Sequence, residues 1–161
     1  MSIDTDFDMA DYFGNRGMSM SGYDVAEIER AINNDMAEYL SSWKEVNPEP
    51  DEGDYSHSEA DYDRFDRDHD AWESDAAEEM ANYFEARMQD TWPVVFESNY
   101  DPVEFLAKEL VVDEEDLIDA VSKKLLEPED LDSIVERCDE IIDYDNRELT
   151  IDDVRAVIAK F

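Results

Sequence analysis

Apolar residues recur at three- and four-residue steps through most of this chain, the period of an amphipathic helix. Val25, Ile28, Ile32, Met36, Tyr39, Leu40 and Trp43 predict a first helix. Asp24, followed three residues later by Glu27, resembles a capping box at its start, and Asn47-Pro48-Glu49-Pro50 ends it. A polar linker, PEPDEGDYS, leads to a second, longer helix. This one is expected to begin near Ser56 or Ser58, with Glu59 placed to close the cap, and to run to about Gln89. Its apolar stripe is Tyr62, Phe65, Trp72, Ala76, Met80, Tyr83 or Phe84, and Met88, with a gap at His69. Thr91-Trp92-Pro93 stops it, and VVFE reads as a short extended piece.

The last third holds a loose internal repeat. Val112 to Val121, Leu126 to Val135 and Leu149 to Ile158 each pair an apolar residue and an acidic first turn with an apolar stripe. Carboxylates there satisfy free backbone N–H groups and complement the helix dipole, so each reads as a helix start. With Asp101-Pro102 opening another helix through Leu110, residues 101–161 predict four short helices in a small bundle. Residues 1–20 alternate acids with aromatic side chains (Asp4, Asp6, Phe7, Asp8, Tyr12, Phe13) and reach GNRGMSM without helical periodicity. They read as a flexible arm, ordering only against the body or a partner, or as plain disorder. The expected fold is therefore mainly α: two longer N-terminal helices plus a C-terminal bundle of about four short ones, with at most a minor extended segment. The domain reading is an arm over 1–20, a helical acidic region over 21–98 and the bundle over 99–161.

Charge changes this picture most. The 161 residues carry 47 acids and 13 bases, a formal net charge of −34. The acids are not confined to a tail, and the densest net stretch is residues 51–100, with 16 acids against 3 bases. A compact chain of this size is about 40 Å across, and about 40 Å of duplex DNA carries about 24 phosphate charges. The chain thus equals or exceeds DNA in charge per unit length. An apolar content of 42%, with three Trp, eight Tyr and seven Phe, is too rich for a disordered acidic tail. The segment MSIDTDFDMADYF has four Asp and no basic region, and no apolar run approaches the ~20 residues of a membrane span. The expectation is a protein without a signal peptide, located in the cytoplasm.

The candidate chemistry is thin. Phe105 to Ile118 has the pattern of a helix-turn-helix, yet its second helix begins Asp113-Glu114-Glu115-Asp116, which would repel DNA rather than read it. Two packed helices are the expectation. Asp143-Tyr144-Asp145 invites a calcium-loop reading, but Arg147, Glu148 and Val154 hold the fifth, sixth and twelfth places, so a standard loop is rejected. His57 and His69 lie among carboxylates without a metal-ligand spacing and read as solvated helix residues. Cys138, in SIVERCDEII, reads as a half-buried structural thiol. No nucleophile elbow, phosphate loop or dinucleotide fingerprint occurs, so no enzyme, cofactor or metal site is expected.

That leaves the carboxylates themselves. Acids three or four residues apart on a helix stand about 5–6 Å apart. Glu59, Asp63, Asp66, Asp70 and Glu73 keep that step throughout, with Asp61, Asp68, Asp75, Glu78 and Glu79 beside them. In charge, size and helix-borne acid rows the chain resembles the DNA-mimic proteins of phages and mobile elements, such as antirestriction and acidic anti-CRISPR proteins. The resemblance implies host-defence evasion: an inhibitor, often a homodimer, that fills the DNA-binding groove of a basic host nuclease complex, either a CRISPR effector or a restriction enzyme. It implies no direct nucleic-acid binding and no membrane. Two competing readings are a salt-adapted acidic protein, which five Lys against 47 acids fits, and an acidic adaptor or chaperone for basic DNA-binding proteins.

Overall fold

The computed structural model describes residues 6–161, so Asp4 of the N-terminal alternation lies outside the described residues. The chain is mainly α-helical: α1 Met9–Asn15, α2 Val25–Val46, α3 Glu59–Asp90, α4 Trp92–Ser98, α5 Pro102–Leu110, α6 Glu114–Ser122, α7 Pro128–Asp145 and α8 Ile151–Ile158, with one 3-10 turn at Glu52–Asp54. Among the described residues there is no strand, only an isolated bridge between Tyr23 and Tyr100. No described helix is long and apolar enough to cross a membrane. Two compact units form: Asp6, Phe7 and Glu29–Val95 in one, and Asp8–Ile28 with Phe96–Phe161 in the other.

In the first unit, α2 and α3 meet along their apolar stripes. Ile32, Met36, Ala76, Met80 and Trp92 are buried, and the rings of Tyr39 and Tyr83 stack 3.7 Å apart. Asp35 is the polar node of this packing, accepting from Tyr83 Oη at 2.6 Å and Trp92 Nε1 at 2.8 Å while Arg87 Nε approaches to 3.2 Å. Burial pushes its carboxyl up, but the hydrogen bonds from Tyr83, Trp92 and Arg87 outweigh that and hold it below the ordinary value. Ser58 caps α3, its hydroxyl accepting from Asp61 N at 3.3 Å, so the residue completing the cap is Asp61 and not Glu59. Fully buried side chains in α3 begin only at Ala76. Before that point the helix is held by half-buried rings, with Trp72 5.8 Å from Trp43 and Phe65 5.4 Å from Tyr55.

VVFE is helical, not extended, because it lies inside α4. Two valines and a phenylalanine favour a strand in isolation, but Pro93 sits at a first-turn position where no N–H is needed. Trp92 beside it is buried, 5.2 Å from Phe84.

In the second unit, α5 packs on α6 and α7, and α8 packs on α6 and α7. Leu106, Leu110, Leu117, Val121, Leu131, Ile134, Cys138, Val154 and Ile158 form its core. The repeated acidic helix starts are seen at α6, α7 and α8, with reciprocal capping boxes at Glu127/Asp130 and Thr150/Asp153. Residues 9–15, within the expected arm, form α1 and are ordered against this unit. Asp8 caps it, and Met9 and Phe13, one turn apart, are buried, with Phe13 5.7 Å from Phe96. The stretch after α1 is also tied down, by Ser19 N to Glu129 at 3.2 Å and by a hydrogen bond from the Ser21 hydroxyl to Asp132. Gly22 is required twice over: its φ is +87°, and a Cβ would lie 2.5 Å from the Tyr100 ring and 2.8 Å from Leu131.

Candidate functional site

Helix α3 carries all ten acids of the expected surface, but they do not share a face. At about 100° per residue, Glu59, Asp63, Asp66, Asp70 and Glu73 fall within an arc of about 80° on one flank of the apolar stripe. Asp61, Asp68, Asp75 and Glu79 fall within an arc of about 40° on the opposite flank. Glu78 lies on the back of the helix, between the two. The stripe of Phe65, Trp72, Ala76, Met80 and Tyr83 separates the flanks on the side facing α2.

The flanks also differ in what they do. On the first, Glu59, Asp63, Asp66 and Asp70 are exposed and Glu73 is half-buried. On the second, carboxylates are largely spent on the fold. Asp61 is half-buried, accepts from the Ser58 hydroxyl at 2.9 Å and pairs with Arg64 at 3.4 Å. Asp68 accepts from Tyr55 Oη at 2.6 Å, and Glu79 accepts from Tyr39 Oη. Those carboxylates push the Tyr39 and Tyr55 hydroxyls above their ordinary pKa, the hydrogen bond being the main cause in each case. Asp75 is exposed. The tyrosine partners had a signal in the sequence, since Tyr39 stands on the α2 stripe and Tyr55 in the linker, but only the packed register shows which acid each meets.

His57 is exposed and precedes the helix. His69 departs from the solvated reading: it sits half-buried on the apolar stripe, 5.7 Å from Phe65 and 5.9 Å from Trp72, with Nε2 2.8 Å from Glu49. The gap in the stripe is therefore filled by an imidazole, whose apolar ring edges tolerate that position while one nitrogen reaches a carboxylate. Ligand atoms of His69, Asp70 and Glu73 lie within 4.8 Å of one another, the one group among the described residues placed to share a cation. A metal on Nε2 would have to displace Glu49.

The other sequence candidates are structural. α5 and α6 are two packed helices. In the rejected calcium segment, Arg147 forks onto Asp153 at 2.6 and 2.9 Å and reaches Asp145 at 3.6 Å. That guanidinium, with hydrogen bonds from Thr150, holds the Asp153 carboxyl well below the usual carboxylate range. Cys138 is fully buried rather than half-buried, and burial, with Asp139 and Asp153 nearby, pushes its thiol up to about 11. Against this geometry, comparison with known proteins finds no family model that matches the chain, no matching curated protein and no matching solved structure.

Proposed function

We propose that this chain is a DNA-mimic inhibitor that occupies the DNA-binding groove of a host defence nuclease complex, a CRISPR effector or restriction enzyme, in the host-cell cytoplasm. The observation that carries the proposal is the exposed flank of α3. Glu59 to Glu73 spans about 21 Å of helix axis, over which one strand of duplex DNA presents about six phosphates. Five carboxylates on that length are a comparable row for a groove lined with Lys and Arg. Binding to such a groove would release the counterions held around the acid row, so it would weaken as salt rises.

The opposite flank gives the row its rigidity. Tyr39 on α2 holds Glu79 and Tyr55 in the linker holds Asp68, which ties the rotation of α3 about its axis to its neighbours. In this reading the two long helices α2 and α3 are the scaffold, and only one flank of α3 is presented. A solvated acidic face without a partner would need no such division of labour.

Displacement of a labelled duplex from purified CRISPR effectors and restriction complexes tests the proposal. The chain should release the duplex from at least one of them at low salt and lose potency between ~0.1 and ~0.5 M salt as screening shortens. Failure to displace duplex from any complex at low salt would sink it.

A further inference from the structure

His69 takes a stripe position on α3, between Phe65 and Trp72, where a Leu would pack with no polar partner to find. Its side chain is only 26% exposed. The fold does not need an imidazole there, and what the imidazole adds is a nitrogen able to ligate a metal. Its surroundings supply the other donors. His69, Asp70 and Glu73 each bring one ligand atom to within 4.8 Å of the others. His69 and Glu73 stand four residues apart, the spacing at which two side chains of one helix grip a single ion. A fourth group comes from a different segment: Glu49, beyond the end of α2, lies 2.8 Å from His69 Nε2. An ionised carboxylate only accepts, so Nε2 carries the proton between them.

We propose that Glu49, His69, Asp70 and Glu73 form a binding site for a divalent transition-metal ion of the Zn²⁺ class. The ion takes the place of the proton between Nε2 and Glu49. That proton moves to Nδ1, and the Glu49 carboxylate turns from the N–H to the metal. Two bonds of about 2.0–2.2 Å at a tetrahedral angle put their donor atoms about 3.4 Å apart, so the 2.8 Å pair needs to open only slightly. One imidazole with three carboxylates suits Zn²⁺, Ni²⁺ or Co²⁺. Mg²⁺ keeps its waters and takes oxygen ligands, which leaves the ring without a role.

A net charge of −34 draws any divalent ion diffusely, whereas this site is saturable and depends on His69. Occupancy would withdraw Asp70 and Glu73 from the acid row, a consequence that rests on the proposed function. Metal binding itself does not rest on it, and the two are read by separate measurements.

The test titrates Zn²⁺ into the full chain by calorimetry, after chelation and dialysis, in ~0.15 M salt with excess Mg²⁺ to suppress diffuse binding. Absorption on adding Co²⁺ is the second readout. One equivalent of Zn²⁺ should bind, and Co²⁺ should develop the visible bands of a four-coordinate site. His69→Leu keeps the stripe apolar, so it should retain its helical circular dichroism while losing at least about tenfold in affinity, and Glu49→Gln should lose about tenfold. Asp75→Asn removes an exposed acid from the opposite flank of α3 and should bind like wild type. Absence of saturable binding in the presence of Mg²⁺ would overturn the proposal. So would wild-type affinity in His69→Leu, or a loss in Asp75→Asn equal to that in Glu49→Gln.

Discussion

The exposed flank of α3 is a stored repulsion, and removing it should stabilise the protein. Substituting Asp63, Asp66 and Asp70 together by Asn eliminates all four neighbouring like-charge pairs of the row, Glu59/Asp63, Asp63/Asp66, Asp66/Asp70 and Asp70/Glu73. Each such pair on a helix costs about 0.2–0.5 kcal/mol, but the same substitutions also remove two favourable pairs of similar size, Asp63/Arg67 and Arg67/Asp70, so the triple variant should gain about 0.5–1 kcal/mol at low ionic strength. Asn and Asp have similar helix propensity, so the backbone contributes little to the difference. None of the three acids lies in the first turn, where the dipole would favour a negative charge. The gain corresponds to a midpoint rise of about 1–4 °C for a chain of this length, read by thermal denaturation in ~10 mM buffer. In 1 M salt the Debye length of about 3 Å is shorter than the spacing of the acids, and the gain should nearly vanish. No stabilisation at low salt, or the same gain at both salts, would refute the idea that these carboxylates repel one another across an exposed flank.

Three further outcomes follow from the packing. Asp35→Ala leaves the Tyr83 hydroxyl, Trp92 Nε1 and Arg87 without their shared acceptor and should cost about 2–3 kcal/mol in urea titration. Because the folded Asp35 carboxyl is held below its ordinary value, its contribution is present above the unfolded pKa. The gap between wild type and Asp35→Ala should therefore hold at neutral pH and close as the pH falls through the lowered folded value. Gly22→Ala forces a side chain into a left-handed position against the Tyr100 ring and Leu131; a loss of about 1–3 kcal/mol for the strain alone is expected. Cys138, with its thiol pushed up to about 11 and its side chain buried, should react with a maleimide at pH 7 only after denaturant is added.

How much of this was legible before the structure depends on segment length and on what competes with pattern. α2 and α3 run for 22 and 32 residues, long enough for the three-four period to mark them, and the caps at Asp24 and Asp101 stand where the sequence puts them. α1, at seven residues, has only Met9 and Phe13 on its buried face, too few repeats to register as a period. α4 reads as a strand because its valines speak for β structure until Trp92 finds Asp35 and Phe84.

The candidate site was legible as a list but not as a surface. Its split into two flanks follows from helical rotation alone. The loss of Asp61, Asp68 and Glu79 to internal hydrogen bonds depends instead on which tyrosine, serine or arginine packs opposite each. His69 was hidden for a related reason, since a histidine on an apolar stripe breaks the pattern while obeying the packing.

Whether arrangement or bulk charge underlies the proposed inhibition is decided by one competition measurement with two charge-matched variants. In one, Asp63, Asp66, Asp70 and Glu73 become Lys. In the other, the exposed acids Glu38, Glu45, Glu85 and Asp90, outside the row, become Lys. If the exposed flank of α3 is the mimic of a DNA strand, the first variant fails to displace labelled duplex from the susceptible nuclease complex and the second displaces it about as well as wild type. Equal potency of the two variants would contradict it.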